Sequence, residues 1–262
     1  MMIHKIKIVF GIFIFSSILM ACQSNSEKQE TRTDTLTYTI YKAESFSDYR
    51  RSPNDTDKTY ATLYYPNFKQ GGDTASINKL ITELLTREYK GNDLVTGITD
   101  AAAAFVMRYD SLVKNDDRYT QYWYREINIR VPYQQYPYVV LKMDFSEYTG
   151  GAHGIYGTNY INFDRKKNRV VELKDIFSEE EIKEITQLAE EQFRKQEGLS
   201  SSQDYNGYFF ENGKFYIPTN FRLQQNGILF HYGLYEIKPY VSGVTEVLVD
   251  YKTMRLYDYK TI

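Results

Sequence analysis

One histidine in this chain stands where chemistry could be done. His153 lies in Tyr148-Thr-Gly-Gly-Ala-His-Gly154, with Asp144 and Glu147 a few residues before it. An imidazole beside carboxylates has the makings of a general base or a metal ligand, and Gly150, Gly151 and Gly154 would admit a substrate backbone. The same residues also suit a tight connection between two strands. There the glycines supply positive φ and the imidazole caps a neighbouring carbonyl. This second reading accounts for all three glycines without a reaction. No catalytic residue is therefore assigned. Tyr148, Gly150, Gly151, His153, Gly154 and Tyr156 form the expected ligand-contacting set, because exposed loops carry function more often than cores do.

Other reactive combinations are weaker. Ser76-Ile-Asn-Lys79 and Ser111-Leu-Val-Lys114 share the serine-lysine spacing of penicillin-binding enzymes, but the companion Ser-Asp-Asn and Lys-Thr-Gly motifs are absent. Gly151, Gly154 and Gly157 lack the tight first pair of a dinucleotide fingerprint. His231 sits in an alternating segment and reads as a packed or edge residue. With one cysteine and three histidines in the chain, neither a metal site nor a cofactor is expected.

The single cysteine, Cys22, follows Leu19-Met20-Ala21, an apolar run from Ile8 to Met20, and a basic start at His4, Lys5 and Lys7. Charged, apolar and small-residue regions in that order make a secretory signal. The apolar run is too short for a spanning helix of about 20 residues. A cysteine directly after the small residue makes the segment resemble a bacterial lipoprotein signal, with Cys22 as the lipidated N-terminus. The expected location is the bacterial cell envelope, lipid-anchored. Gln23 is not the aspartate that holds enteric lipoproteins at the inner membrane, so the outer membrane is the expected destination, with its periplasmic and surface faces both open.

Beyond Cys22, with Lys5 and Lys7 removed, 30 of the 32 basic residues remain against 34 acidic ones. Nucleic-acid binding normally needs a basic face, so no nucleic-acid partner is expected. The 26 tyrosines suit pleated, half-buried strands, and they would also suit a surface that stacks on sugar rings.

The elements that must position these residues follow from periodicity. Residues 1–21 read as signal and 22–34 as a polar tether. Leu36–Tyr41 and Thr59–Tyr65, closed by Pro66, read as strands. Ile77, Leu80, Ile81, Leu84 and Leu85 mark a helix, with Asp73, Thr74 and Ser76 offering capping oxygens. A second helix is expected over Ile98–Lys114, burying Ala101, Ala102, Phe105, Val106, Tyr109, Leu112 and Val113. From Gln121 the period becomes two, giving strands around Trp123–Val131, Val139–Phe145 and Ile155–Phe163 in an antiparallel meander. Pro132–Pro137 reads as a turn-rich connection between the first two. Ser178 and Glu181 form a capping box for a third helix stopped by Gly198. Phe215–Ile217 reads as a short strand. Asn226-Gly227 marks a hairpin joining Phe221–Leu223 to Ile228–Tyr232, and Val244–Val249 closes the chain. The class is α+β: an antiparallel sheet with helices packed on one side and two subdomains, 35–118 and 119–262.

Two patterns carry a family resemblance. One is Tyr148–Gly154 with Asn159-Tyr-Ile-Asn-Phe-Asp164 and Leu173-Lys-Asp-Ile-Phe177. The other is Phe221-Arg-Leu-Gln-Gln-Asn-Gly-Ile-Leu-Phe230 with Tyr235-Glu-Ile-Lys-Pro-Tyr240 and Gly243. Together they resemble the RsiV-type extracellular domain, found in an anti-sigma factor and as an accessory region of the peptidoglycan deacetylase PdaC. Tyr65-Pro-Asn-Phe68 and Ile77-Asn-Lys79 resemble the smaller PdaC-like module that precedes it. The resemblance implies an exported binding module, with a lysozyme-like protein as the ligand class. The deacetylase domain is missing, so that activity is not implied. The expected function is a non-enzymatic, lipid-anchored envelope protein that binds an extracytoplasmic ligand. A cell-wall glycan-binding module is the alternative, and a hydrolase using His153 is a third reading.

Overall fold

The computed structural model describes residues 35–49, 57–72, 74–91, 94–116 and 119–255; the expected signal, lipidation site and tether lie outside them. A six-stranded sheet runs in sequence order through β1 (Thr37–Phe46), β2 (Tyr60–Gln70), β3 (Tyr124–Gln135), β4 (Tyr138–Tyr148), β5 (Ile155–Asp164) and β6 (Arg169–Val170). Between β2 and β3 come helices α1 (Ala75–Thr86) and α2 (Ile98–Asn115). Among the described residues β2 and β3 are the one parallel pair, and this crossover supplies the long connection that parallel neighbours need. After β6 come α3 (Glu179–Glu197) and a three-stranded sheet, β7 (Phe221–Gln224), β8 (Gly227–Tyr232) and β9 (Thr245–Asp250). The class is α+β, as the periodicities indicate.

Helices α1 and α2 cover one face of the large sheet. Ile77, Ile81 and Leu85 of α1 and Phe105, Val106 and Tyr109 of α2 pack on Ala61, Leu63, Ile129, Val139 and Leu141. Among the described residues, the other face is covered only at its β4–β5 end. There Tyr138 and Val140 join α3 and the small sheet in a second cluster around Phe193 and Phe230. Strand β4 therefore feeds both cores with alternate residues, which is why Tyr138 to Leu141 are all buried. The sheet crosses residue 118 through the β2–β3 pairing.

Two asparagines join the sheets. Asn220 accepts from the Tyr160 N–H at 2.8 Å and donates to the Thr158 carbonyl at 2.8 Å. Asn162 donates to the Phe221 carbonyl at 2.8 Å and accepts from the Leu223 N–H at 2.9 Å. Side-chain amides thus stand in for a backbone ladder between β5 and β7, leaving those buried groups satisfied.

Several local expectations need correction. Pro66 does not close β2, which runs on to Gln70. The β3 pairing ends at Tyr64, so Pro66 faces β1 alone and its missing N–H breaks no ladder. Pro132 lies within β3, at a register shift between Arg130 and Tyr133. The connection to β4 is only Tyr136–Pro137. Phe215–Ile217 forms no strand: the Phe215 ring packs 5.5 Å from Phe193 and the Tyr216 carbonyl accepts from the Tyr232 hydroxyl. Thr74 makes no side-chain cap for α1, while Asp73 lies outside the described residues. By contrast, Ser178 and Glu181 make both bonds of their capping box, and Gly198 ends α3 at φ +68°.

Candidate ligand-binding face

The half of the large sheet that the small sheet leaves uncovered displays three rows of side chains running across the strands. Alternation puts every second residue on this face, and the register aligns them. Phe46, Tyr60, Tyr124 and Tyr148 stand directly opposite one another on β1, β2, β3 and β4. Successive ring centroids are 6.3, 6.1 and 6.0 Å apart, with interplanar angles of 34°, 22° and 27°. Beside this aromatic row runs Glu44, Thr62, Glu126, Ser146 and Tyr156, and beyond it Lys42, Tyr64, Asn128, Asp144 and Thr158. A groove of about 800 Å³ lies along these rows, lined by members of all three together with Tyr122 and Trp123.

Several charges of the face are paired within it, while Lys58, which also lines the groove, stands 4.1 Å over the Phe46 ring. Lys42 pairs with Glu44, which raises the lysine above its ordinary pKa through that hydrogen bond. Asp144 accepts from Thr158 at 2.6 Å, from Lys142 at 3.1 Å and from Arg130. Burial pushes its carboxyl up, but these three donors outweigh burial and hold it below the usual range. Glu126 accepts from the Tyr60 hydroxyl at 2.8 Å. Burial and that hydrogen bond push the Tyr60 phenol up to about 12.

Beneath the aromatic row, on the helix side, Arg125 anchors β3. Its Nε donates to Glu147 at 2.5 Å, one terminal nitrogen meets Glu88 at 2.5 Å, and the other donates to the Tyr89 hydroxyl at 3.1 Å. The guanidinium also lies 4.4 Å from the Phe105 ring centre.

The glycine loop caps the end of the aromatic row. The Tyr148 hydroxyl donates to the Gly151 carbonyl at 2.8 Å. Gln121 clamps the same residue, accepting from its N–H at 3.0 Å and donating to its carbonyl at 3.3 Å. A Cβ on Gly150 would lie 2.4 Å from the Tyr119 hydroxyl, and φ there is +97°. A Cβ on Gly154 would lie 2.8 Å from the Glu147 carbonyl oxygen and 2.9 Å from the Tyr124 hydroxyl. Close approach of strands and tyrosines therefore accounts for both glycines.

Of the expected ligand-contacting residues, Tyr148 ends the aromatic row and Tyr156 ends the second row. The Tyr156 ring meets Tyr240 edge-on at 6.0 Å. His153 is exposed, with Nδ1 3.1 Å from the Gly154 carbonyl oxygen. Asp144 and Glu147 do not converge on it, since they lie on opposite faces of β4 and each is engaged by cations. His231 is buried, as a packed residue should be, with Nδ1 3.0 Å from Glu246 Oε1. Among the described residues no group of three His, Cys, Asp or Glu side chains is placed to hold a metal ion, and no helix is long and apolar enough to cross a membrane. Sequence reasoning missed Phe46, Tyr60, Tyr124 and Glu126. The available signal was the alternation Tyr60/Thr62/Tyr64, Tyr124/Glu126/Asn128 and Asp144/Ser146/Tyr148, but the register that aligns them is non-local.

The fold and this face define an α+β protein with an open, aromatic-rich sheet surface. Residues 174–252 match the family described as a protein of unknown function, DUF3298, and residues 52–156 match the family described as deacetylase PdaC. The fold is shared with a DUF3298 family member from Bacteroides fragilis NCTC 9343, at TM-score 0.68 and 23% identity, covering 85% of this chain and 93% of that one. A DUF3298 family protein from Pseudomonas aeruginosa PAO1 gives TM-score 0.62 and 19% identity, covering 84% and 92%. No curated protein matches the chain.

Proposed function

We propose that this protein is a non-enzymatic, lipid-anchored envelope protein that binds cell-wall glycan on the open face of its large sheet. The observation that carries this reading is the aligned row Phe46, Tyr60, Tyr124 and Tyr148 with a parallel row of hydrogen-bonding side chains beside it. A sugar ring has apolar C–H faces and polar edges. It needs a broad aromatic surface for the first and carboxylate, hydroxyl or amide groups for the second. The likeness of residues 52–156 to the deacetylase PdaC region agrees with a cell-wall ligand. The lipoprotein-like segment around Cys22 supplies the anchor.

A lysozyme-like protein is the competing ligand. An acidic surface would favour such a basic partner. Here Glu44, Glu126 and Asp144 already have partners of their own, which favours an uncharged ligand. Co-sedimentation of the full chain in detergent with insoluble cell-wall glycan tests the reading. The protein is expected in the pellet, and Tyr60→Ala or Tyr124→Ala should leave it in the supernatant. Wild-type protein that stays in the supernatant, yet forms a complex with lysozyme, overturns the reading in favour of the protein ligand.

A further inference from the structure

Strand β1 forms an outer edge of the large sheet, and among the described residues no strand pairs with its free side. It is ten residues long, and Ala43 is its one buried residue. Ile40 and Phe46 are 50% and 44% exposed. Proteins usually shorten, cover or charge such an edge, because it is a template for another strand.

The strand is self-complementary about Ala43. It reads Thr39-Ile-Tyr-Lys-Ala-Glu-Ser-Phe-Ser47. A two-fold axis makes two copies of one edge strand meet antiparallel. With the axis at Ala43, Lys42 lies opposite the partner subunit's Glu44, Ile40 opposite the partner subunit's Phe46, and Tyr41 opposite the partner subunit's Ser45. Moving the axis by one residue sets Lys42 against Lys42 or Glu44 against Glu44. Like charges directly opposite destabilise a strand pair, so charge favours the register centred on Ala43 over both of its immediate neighbours.

We infer that two copies of this chain associate through their β1 edges, joining two six-stranded sheets into one. Ile40, Lys42, Glu44 and Phe46 alternate onto the open face. Pairing therefore brings two Lys42–Glu44 pairs together in a four-charge cluster of alternating sign and makes the two ligand-binding faces continuous. The inference concerns the edge of β1 and stands whether or not the open face takes a glycan.

Sedimentation velocity on the full chain in density-matched detergent tests it with charge reversal. Wild type is expected to be dimeric. Lys42→Glu puts four carboxylates together and Glu44→Lys four ammonium groups, so each variant alone should associate more weakly by on the order of tenfold. Mixed in equal amounts, the two variants should form a heterodimer, because each supplies the charge that the other lacks. A monomeric wild type overturns the inference. So do single variants as dimeric as wild type, or a mixture that stays monomeric while both variants keep the wild-type unfolding temperature.

Discussion

Gly227 is where the hairpin signal and the structure part company, and Gly227→Ala separates the two accounts. The register pairs Gln224 with Gly227, so the turn residues are Gln225 and Asn226, and Gly227 is already the first residue of β8. Its φ lies outside the left-handed region, so turn geometry does not demand a glycine there. A Cβ, however, would lie 2.2 Å from the Val249 carbonyl oxygen, 3.0 Å from the Val249 carbonyl carbon and 3.1 Å from the Asp250 Cα. All three are backbone atoms of β9 and cannot swing away. Restoring an ordinary contact of about 3.4 Å requires β9 to move by about 1 Å, and with it Val247 and Val249, which pack in the second core. Overpacking of this kind costs about 1–3 kcal/mol, and a backbone clash in a strand buried along its whole length belongs at the top of that range. At about 2–4 °C per kcal/mol for a chain of this size, the melting temperature should fall by about 6–12 °C. Circular dichroism during heating measures it. Gly151→Ala is the control, since nothing lies within 4 Å of its Cβ, and its cost is confined to the strain of φ +98°. If Gly227→Ala melts within 2 °C of wild type while Gly151→Ala falls further, steric approach is not what requires this glycine.

Phe193 is fully buried amid the rings of Tyr205, Tyr208, Phe210 and Phe215, so Phe193→Ala should destabilise the chain by about 3–5 kcal/mol in urea unfolding. Arg125→Met removes the cation that Glu88 and Glu147 share, leaving Glu147 without one while Glu88 keeps Arg108 at 2.7 Å. Because those carboxylates are partly exposed, the cost should be about 2–3 kcal/mol, below that of a fully buried pair, and is read by the same denaturation. The His231 hydrogen bond holds Glu246 below its ordinary carboxylate range, against the opposing effect of burial. A depressed carboxyl contributes stability that is complete above its unfolded value near 4.5 and is lost as pH falls through the folded one. Stability should therefore decline below about pH 4.5, and Glu246→Gln should flatten that decline in acid titrations.

Local features of this fold were legible where a few neighbouring residues decide the outcome. Ser178 with Glu181, Gly198 after α3, and the stripe Ala101, Ala102, Phe105, Val106 and Tyr109 each specify a helix end or face within a turn or two. Prolines were misread because their effect depends on which neighbour a strand has. Pro66 is harmless only because β3 pairing has ended before it, and Pro132 because β3 shifts register there. Phe215–Ile217 has strand-forming residues, but its rings are claimed by Phe193 and Tyr232. The candidate site was half visible. Tyr148 and Tyr156 sit beside a conspicuous glycine loop, whereas Phe46, Tyr60 and Tyr124 become a row only through pairings that reach across two helices. His153 drew attention by its chemistry, yet Gly150 and Gly154 are explained by contacts with Tyr119, Tyr124 and the Glu147 backbone, and Gly151 by its φ of +98°.

Calorimetric titration of the full chain in detergent with soluble N-acetylglucosamine oligomers tests the glycan claim most directly. Saturable heat is expected for wild type. Tyr124→Ala, which removes the ring stacked between Tyr60 and Tyr148, should weaken it by about 2 kcal/mol, roughly 30-fold in Kd. No heat from folded wild-type protein at any oligomer length, or the same affinity in folded Tyr124→Ala, would contradict it.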